Sequence, residues 1–407
     1  MPTMFTRRGK AHAVQRVELE VAVVVTSWRQ WTLTSALLIF SSAAAAVILP
    51  EQRADAMYHS YDGGGVTIDG PSVLVRKNFA ETISASGNYY VDNVSSASID
   101  VITSGASEYS ETRTEFSVGG DYLYDKSIIS AGYTNSDESD YRADTYYFSV
   151  SQDFFGDLTN LSFGYSRGED EVTQNGNDDF EEDITRNNYR VGISQVLRPN
   201  LIMALNYEAI TDEGYLNNPY RSYRYLTDPL DPLAGYQFAQ EVYPNTRTSD
   251  AASLRLLYHL PWRATLGSNY RYFTDDWGIR AHTAQISYTH AWSERWIFDF
   301  KYRYYQQDAA DFYSDLFDAP SQDAKDYRAR DKELSEFTSH GISLHVTYQL
   351  PLQLHYLDRS AVSLQYDKLY FDYDNFTDLR DTTPIPGEEK LYDLEADVIK
   401  LLFTFWY

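Results

Sequence analysis

The chain reads as an all-β protein: a transmembrane, antiparallel, up-and-down β-barrel of about fourteen strands, within a range of 12 to 16. Three observations predict this. No stretch after Leu49 approaches the ~20 consecutive apolar residues that a spanning helix needs. The 407 residues include 36 Tyr, 20 Phe and 7 Trp, yet the mean hydropathy is polar. Segments of about ten residues alternate apolar and polar positions, the period of a two-faced strand.

The amino terminus reads as a targeting segment. Arg29 precedes an apolar run from Leu33 to Leu49, followed by Pro50 and by Ala54-Asp55-Ala56 in the A-x-A cleavage pattern. Residues 1–56 are therefore expected to be a signal peptide, and the 28 residues before Arg29 suggest a start placed too far upstream. An uncleaved anchor helix is the competing reading. Residues 57–81 are expected to lie outside the wall, as a periplasmic or plug segment. Their Gly63-Gly64-Gly65 and the alternating Val66, Ile68, Val73 and Val75 leave a further strand open.

The barrel itself is expected over 82–407. Trp296, Phe298, Phe300, Tyr302 and Tyr304 alternate with Ile297, Asp299, Lys301, Arg303 and Tyr305, which puts an aromatic ladder on one face and charges on the other. Ile342, Leu344, Val346, Tyr348 and Leu350 repeat the pattern, as do Leu201, Met203, Leu205 and Tyr207. The other candidates are 82–92, 112–122, 127–135, 141–150, 159–166, 184–196, 246–260, 263–273, 279–291, 361–373 and 393–407.

Connections alternate in length, as short periplasmic turns and longer outer loops require. The short ones are 123–126, 151–158, 197–200, 261–262, 292–295 and 351–360; the long ones are 93–111, 167–183, 211–245, 306–337 and 374–392. Two outer connections, 136–140 and 274–278, are short and depart from the rule. At the carboxy terminus Leu401, Phe403, Phe405 and Tyr407 alternate up to a terminal aromatic, which resembles the signal read by the barrel-assembly machinery.

Composition excludes several functions. Without cysteine there is no disulfide, thiolate metal site, cysteine nucleophile or lipoprotein anchor. A net charge of −25 argues against nucleic acid as a partner. There is no G-x-S-x-G and no H-E-x-x-H, and the eight His are scattered, so no enzyme is expected and no catalytic residue is named. His282 and His290 fall on an apparent apolar face and His345 on a lumen face, where girdle or packing roles compete with chemistry.

If the aromatic faces meet lipid, the opposite faces line the lumen. The charged candidates there are Arg113, Glu115, Arg190, Glu208, Arg271, Asp299, Lys301, Arg303 and Asp367, with Asn88, Asn206, Asn269 and Gln365 beside them. Cross-strand pairing is the bland alternative for these charges. Acidic runs at Glu169-Asp170-Glu171, Asp178-Asp179, Glu181-Glu182-Asp183, 308–318 and Glu388-Glu389 are expected in loops, where Ca²⁺ or Mg²⁺ bridging to lipopolysaccharide competes with plain solvated charge. No other cofactor is expected.

Two long strings carry a family resemblance: YHSYDGGGVTIDGPSVLVRKN at 58–78 and VDNVSSASIDVITSGASEYSETRTEF at 91–116, with SDESDY at 136–141 and SQDFFGDLT at 151–159. They resemble the bacterial family called domain of unknown function 3570. The resemblance implies a barrel of the bacterial outer membrane without an established activity, in contact with its lipid and lipopolysaccharide. It further implies thioredoxin-like or flavin-modified periplasmic proteins as partners. Three functions stay open: a channel or translocation barrel for a polar solute or exported polymer, which is favoured; a scaffold barrel for envelope redox partners; and, last, a hydrolase.

Overall fold

The computed structural model describes residues 48–96, 109–351, 356–383 and 385–407, and the targeting run and the connection at 97–108 lie outside them. Sixteen strands close into one antiparallel barrel. In chain order they are β1 Arg53–Gly63, β2 Val66–Phe79, β3 Ile83–Ser96, β4 Tyr109–Tyr124, β5 Ser127–Asp137, β6 Tyr141–Phe154, β7 Thr159–Thr173, β8 Glu181–Arg198 and β9 Leu201–Gly214. After a two-stranded ribbon, β10 Ser222–Leu226 and β11 Tyr236–Gln240, the wall resumes with β12 Thr246–Leu260 and β13 Ala264–Asp275. It ends with β14 Arg280–His290, β15 Trp296–Gln307, β16 Phe337–Leu350, β17 Arg359–Thr377 and β18 Leu391–Trp406. No α-helix occurs among the described residues, and no helix is long and apolar enough to cross a membrane.

Each of the fourteen expected strands is present. The two additional ones correct the placement of 57–81 outside the wall, because this segment forms most of β1 and β2. β1 pairs with β18, Tyr58 opposite Leu401 and Ala54 opposite Phe405, and this closes the cylinder. Closure leaves no open sheet edge, which is the condition for a β-structure in hydrocarbon, where an unpaired N–H or C=O costs several kcal/mol. The even count puts both ends of the wall on one side, taken as periplasmic. β1 contains Ala54-Asp55-Ala56, so the cleavage pattern sits within a wall strand.

The β1–β2 turn is tight because Gly64 and Gly65 both take positive φ, 61° and 78°, the backbone of a two-residue hairpin turn matched to strand twist. Pro71 occupies the middle of β2, where the ladder to β3 is interrupted between Asp69–Asn93 and Ser72–Tyr90. A proline without an N–H is tolerated there.

Several strands run outward past their apolar stretch. β7 reaches Thr173 and β8 starts at Glu181, so Glu169-Asp170-Glu171 and Glu181-Glu182-Asp183 belong to strands and not to a loop. Only 174–180 connects them.

Candidate functional site: the barrel lumen

Alternation divides each strand into an outward apolar and an inward polar set. Phe116, Val118, Phe148, Phe163, Val191, Leu205, Ile286, Phe300, Leu344 and Phe403 stand exposed on the outside. So large an apolar surface is untenable in water and suited to lipid. Aromatic residues bound it. On the periplasmic side lie Tyr124, Phe155, Trp262, Trp292, Trp296 and Tyr356. On the other side outward tyrosines bond polar neighbours on the next strand: Tyr58 donates to Asp69 at 2.8 Å, Tyr366 to Asp397 at 2.6 Å and Tyr165 to Asn187 at 2.9 Å. His282 and His340 serve the same purpose, paired with Tyr270 and Tyr302 at 2.7 and 2.8 Å. An amphipathic ring with one polar tip suits this interface. Leu401 and Phe403 of the expected assembly signal face outward and Phe405 follows them in register, while the Tyr407 hydroxyl donates to the Arg76 carbonyl at 3.1 Å.

Inward, the lumen has two unlike walls. On β1–β7 the charges are buried and paired. Arg113 is 2.7 Å from Glu115, 3.5 Å from Asp92 and 3.6 Å from Glu138; His59 is 2.7 Å from Asp92 and stacks on Tyr90. Arg76 pairs with Asp121, and Asn160 donates to Asp153 at 2.7 Å. On β8, Arg186 continues the pattern, 2.8 Å from Asp170. A charge taken out of water needs a counter-charge or hydrogen bonds, and here Arg113, Arg76 and Arg186 each meet a carboxylate while Asp153 accepts from Asn160.

The wall from β8 to β16 is more open. Its inward positions include Asn206, Ser253, Asn269, Thr283, Gln285, Ser287 and Ser343, none of them buried. Glu208 is shared by Arg190 at 2.8 Å and Arg271 at 3.1 Å, and Arg271 keeps 36% of its side chain accessible. Arg303 lies over Tyr305 and Arg271 over Phe273, both one step outward on their own strands. Asp299 is buried against Thr289, with His345 at 3.5 Å, and Asp367 accepts from Gln365 at 2.9 Å. Register and burial thus place all nine charged candidates on inward positions: Arg113 and Glu115 on the packed wall, Arg190, Glu208, Arg271, Asp299, Lys301 and Arg303 on the open one, and Asp367 on β17 beside it.

The outer connections fold inward as a cap, which the sequence reading did not find. Arg224 on β10 has a fully buried side chain that binds Glu389 at 2.6 Å and Thr377 at 2.9 Å and pairs with Asp315. Arg330 reaches Asp315 at 2.9 Å and covers the Phe376 ring. Burial pushes the Asp315 carboxyl up, but Arg330 and Arg224 hold it below the usual range, so the buried pair stays ionised. Backbone bridges join Tyr225 to Phe317 and Val242 to Arg328. Beneath, cap residues Ala310, Phe312 and Leu334 pack with Trp277, Ile279 and the inward Phe273, while Tyr313 joins an inward apolar cluster of Phe337, Phe371, Tyr373, Tyr392 and Leu394. The partners of Arg224 lie 91 to 165 residues away and leave no local signal in the sequence.

Of the acidic runs, 308–318 and Glu388-Glu389 meet only through Asp315 and Glu389 at Arg224, and among the described residues none of the runs supplies a cluster of three carboxylates. A different trio does: Glu111, Glu138 and Asp140 bring one carboxylate oxygen each within 4.8 Å of the others. Ser139 donates from its backbone to Glu111 at 2.8 Å. Burial pushes the Glu138 carboxyl up to about 8, against the pull of Arg113 and helped by Glu111, Asp140 and Asp92. Arg113 already faces two closer carboxylates, so a neutral Glu138 leaves it satisfied.

A closed antiparallel barrel, polar inside and apolar outside between aromatic girdles, is a transmembrane β-barrel of the outer-membrane type. The chain belongs to the family described as "Protein of unknown function (DUF3570)", whose model matches residues 100–190 and 179–366. No curated protein matches it. Among solved structures it is similar to a bacterial polysaccharide outer membrane secretin, with 7% identity over 88% of this chain and 100% of that one and a TM-score of 0.46. It is also similar to a Pseudomonas aeruginosa FadL homologue, with 10% identity over 91% and 93% and a TM-score of 0.45. A third is Pseudomonas aeruginosa OprD, with 9% identity over 90% and 98% and a TM-score of 0.41. The likeness is one of barrel architecture.

Proposed function

We propose that this protein is a bacterial outer-membrane channel for a small polar solute, gated at its outer mouth by the folded cap. The observation that carries the reading is the two-walled lumen. A barrel of sixteen strands is wider than side chains can fill. The β1–β7 wall occupies part of that width with paired ions, while from β8 to β16 the inward Asn206, Ser253, Asn269, Thr283, Gln285, Ser287 and Ser343 are polar and not buried. Such a surface passes a hydrated solute and offers little to an apolar one. The reading assigns no catalytic step to the chain.

The cap has a second consequence. Its buried ion pairs make a structured outer surface, which favours a scaffold if the lumen does not conduct. Single-channel recording of the refolded protein in planar bilayers separates the two. Discrete current steps are expected, with longer open times when the cap is loosened by Arg224→Met. A folded barrel silent in both forms overturns the channel and leaves the scaffold.

A further inference from the structure

The ladder between β2 and β3 lapses for one step, and side chains take over there. Asp69 pairs with Asn93 and Ser72 with Tyr90, but Gly70 and Pro71 between them have no ladder partner on β3. Pro71 has no N–H to give. Gly70 lets the β3 backbone come close, because a Cβ on it would collide with the Val91 carbonyl oxygen. On its other side β2 keeps its register with β1 unbroken, Tyr58 opposite Pro71 and His59 opposite Gly70. Three residues at ~3.4 Å leave about 10 Å of contact between β2 and β3 without ladder pairing.

Side-chain bonds surround the gap. His59 on β1 reaches across Gly70, where no side chain stands in the way, to Asp92 on β3, with Nε2 2.7 Å from Oδ1. Its ring stacks on Tyr90, whose hydroxyl is 3.0 Å from the same nitrogen. Ser72 donates to Asn88 at 3.1 Å and Asn93 to Asp69 at 3.4 Å. Of these contacts the His59–Asp92 one is the most deeply buried, with 7% and 3% of the two side chains accessible, and Arg113 on β4 holds Asp92 from the far side at 3.5 Å. His59 Nδ1 has no hydrogen-bond partner among the described residues, so the imidazole is held through Nε2 alone. A ladder bond cannot be given up without unpairing the strand, whereas a side chain can swing away. The gap lies just below the outer girdle, where Tyr58 donates to Asp69, and the outward Pro71, Val73 and Tyr89 around it are exposed to lipid.

We propose that the β2–β3 step is a lateral latch. With His59 on Asp92 the wall is shut; release of His59 opens the lumen sideways to the outer leaflet for an amphipathic molecule, its polar end toward the His59–Asp92–Arg113 cluster and its apolar end in lipid. Elsewhere an unpaired step in hydrocarbon is a plain cost, and here it is covered by groups that can move. This route goes beyond the axial channel and does not require it.

The chain has no cysteine, so an introduced thiol is the only one present. The test uses the full barrel in phosphatidylcholine vesicles, with pyrenyl maleimide dissolved in the bilayer and a sulfonated maleimide in the water as probes. Ser72→Cys, inward beside the gap, is expected to react with pyrenyl maleimide about tenfold faster once His59→Ala is added, by the lipid-access reasoning above. Ser343→Cys, inward on β16, is expected to keep its rate in both backgrounds, as is Ser72→Cys toward the sulfonated reagent. His59→Gln, which can still bond Asp92, is expected to restore slow labelling, and folding of each variant is checked by its heat-dependent mobility on gels. In the wild type, amides of 68–72 are expected to exchange faster than those of 57–61, which lie opposite at the same depth on β1 and are laddered on both sides, so the latch is tested even where a variant fails to fold. An unchanged rate in a folded His59→Ala barrel, an equal rise at Ser343→Cys or with the sulfonated reagent, or equal protection of the two segments overturns the proposal.

Discussion

Phe300→Arg tests the outward face at its most demanding point. Phe300 is half exposed on β15, opposite Tyr288 on β14 and Leu344 on β16, both outward. Trp296 lies four residues toward the periplasmic girdle and Tyr304 four residues toward the outer one. Four residues at ~3.4 Å, tilted about 40° from the barrel axis, put Phe300 about 10 Å from each rim, the middle of an apolar band some 20–25 Å tall. An arginine there is expected to cost ~2–4 kcal/mol, or about 30- to 1000-fold in the folding equilibrium. Tyr304→Arg, at the rim, is expected to cost ~0–1 kcal/mol. The assay is guanidinium unfolding in phosphatidylcholine vesicles, followed by tryptophan fluorescence. Equal costs for the two variants, or a Phe300→Arg barrel as stable as wild type, would refute the placement of the lipid-facing surface.

Arg224→Met strips Glu389 of its guanidinium and leaves Asp315 with Arg330 alone. Breaking a buried pair costs about 3–5 kcal/mol, and the surviving partner puts this case near the lower figure. Proteinase K should then cut within 215–245 or 308–336 of the intact barrel, and a cleavage pattern matching wild type counts against the cap as described. Glu138 gives a pH dependence. Its folded pKa near 8 exceeds the ordinary carboxyl value of 4.5, so the folded state holds the extra proton between those limits and loses stability as pH rises through them. Amide exchange at 138–140 should therefore be slower at pH 5 than at pH 9 beyond the intrinsic chemical rate, and Glu138→Gln should abolish the difference; a wild type with no such difference contradicts the assignment. Cleavage after Ala56 would remove Arg53 to Ala56 from β1, where they pair with Trp406 to Phe403, and would also lose the Glu51–Arg359 pair. Amino-terminal sequencing of the exported protein is accordingly expected to start upstream of Glu51, near the alanines at 43–46, and a start at Met57 would sink this reading.

The strands that were legible are those whose outward face is aromatic. Trp296 to Tyr304 could be read without ambiguity because each outward ring alternates with an inward polar or charged residue over most of the strand. β1 and β2 were less legible for two physical reasons. Pro71 and Gly70 interrupt the β2 pattern, and both are accommodated only because the β2–β3 ladder lapses at that point. The first residues of β1 also coincide with Ala54-Asp55-Ala56, which carry the A-x-A pattern of a cleavage site. The outer ends of β7 and β8, 167–173 and 181–183, were read as loop because their acidic residues hide the alternation; the inward Asp170 finds its partner, Arg186, across the strands, which local alternation does not reveal. Inward or outward direction followed from parity alone, so the lumen candidates could be assigned to a face. Their division into a packed and an open wall could not, since it depends on what stands across the lumen.

That division follows from the width of the barrel. Sixteen strands enclose more room than inward side chains can fill, and the chain responds differently on its two sides. On one side long ionic residues meet in pairs: Arg113 with Glu115 and Asp92, Arg76 with Asp121, Arg186 with Asp170. Near the outer end Phe371, Tyr373 and Tyr392 do the same with rings. On the other side the inward positions include the small Ser253, Gly267, Ser287, Gly341 and Ser343, and Glu208 is shared by Arg190 and Arg271. Filling that side would have required only larger apolar residues, which the outward face supplies in abundance. Keeping it small and polar costs packing, and that cost is intelligible if a hydrated solute has to fit there. The cap bears on the same point: it rests on Phe273 and Tyr305, one step outward of Arg271 and Arg303, so loosening it is expected to change access to the open wall before it changes the wall itself.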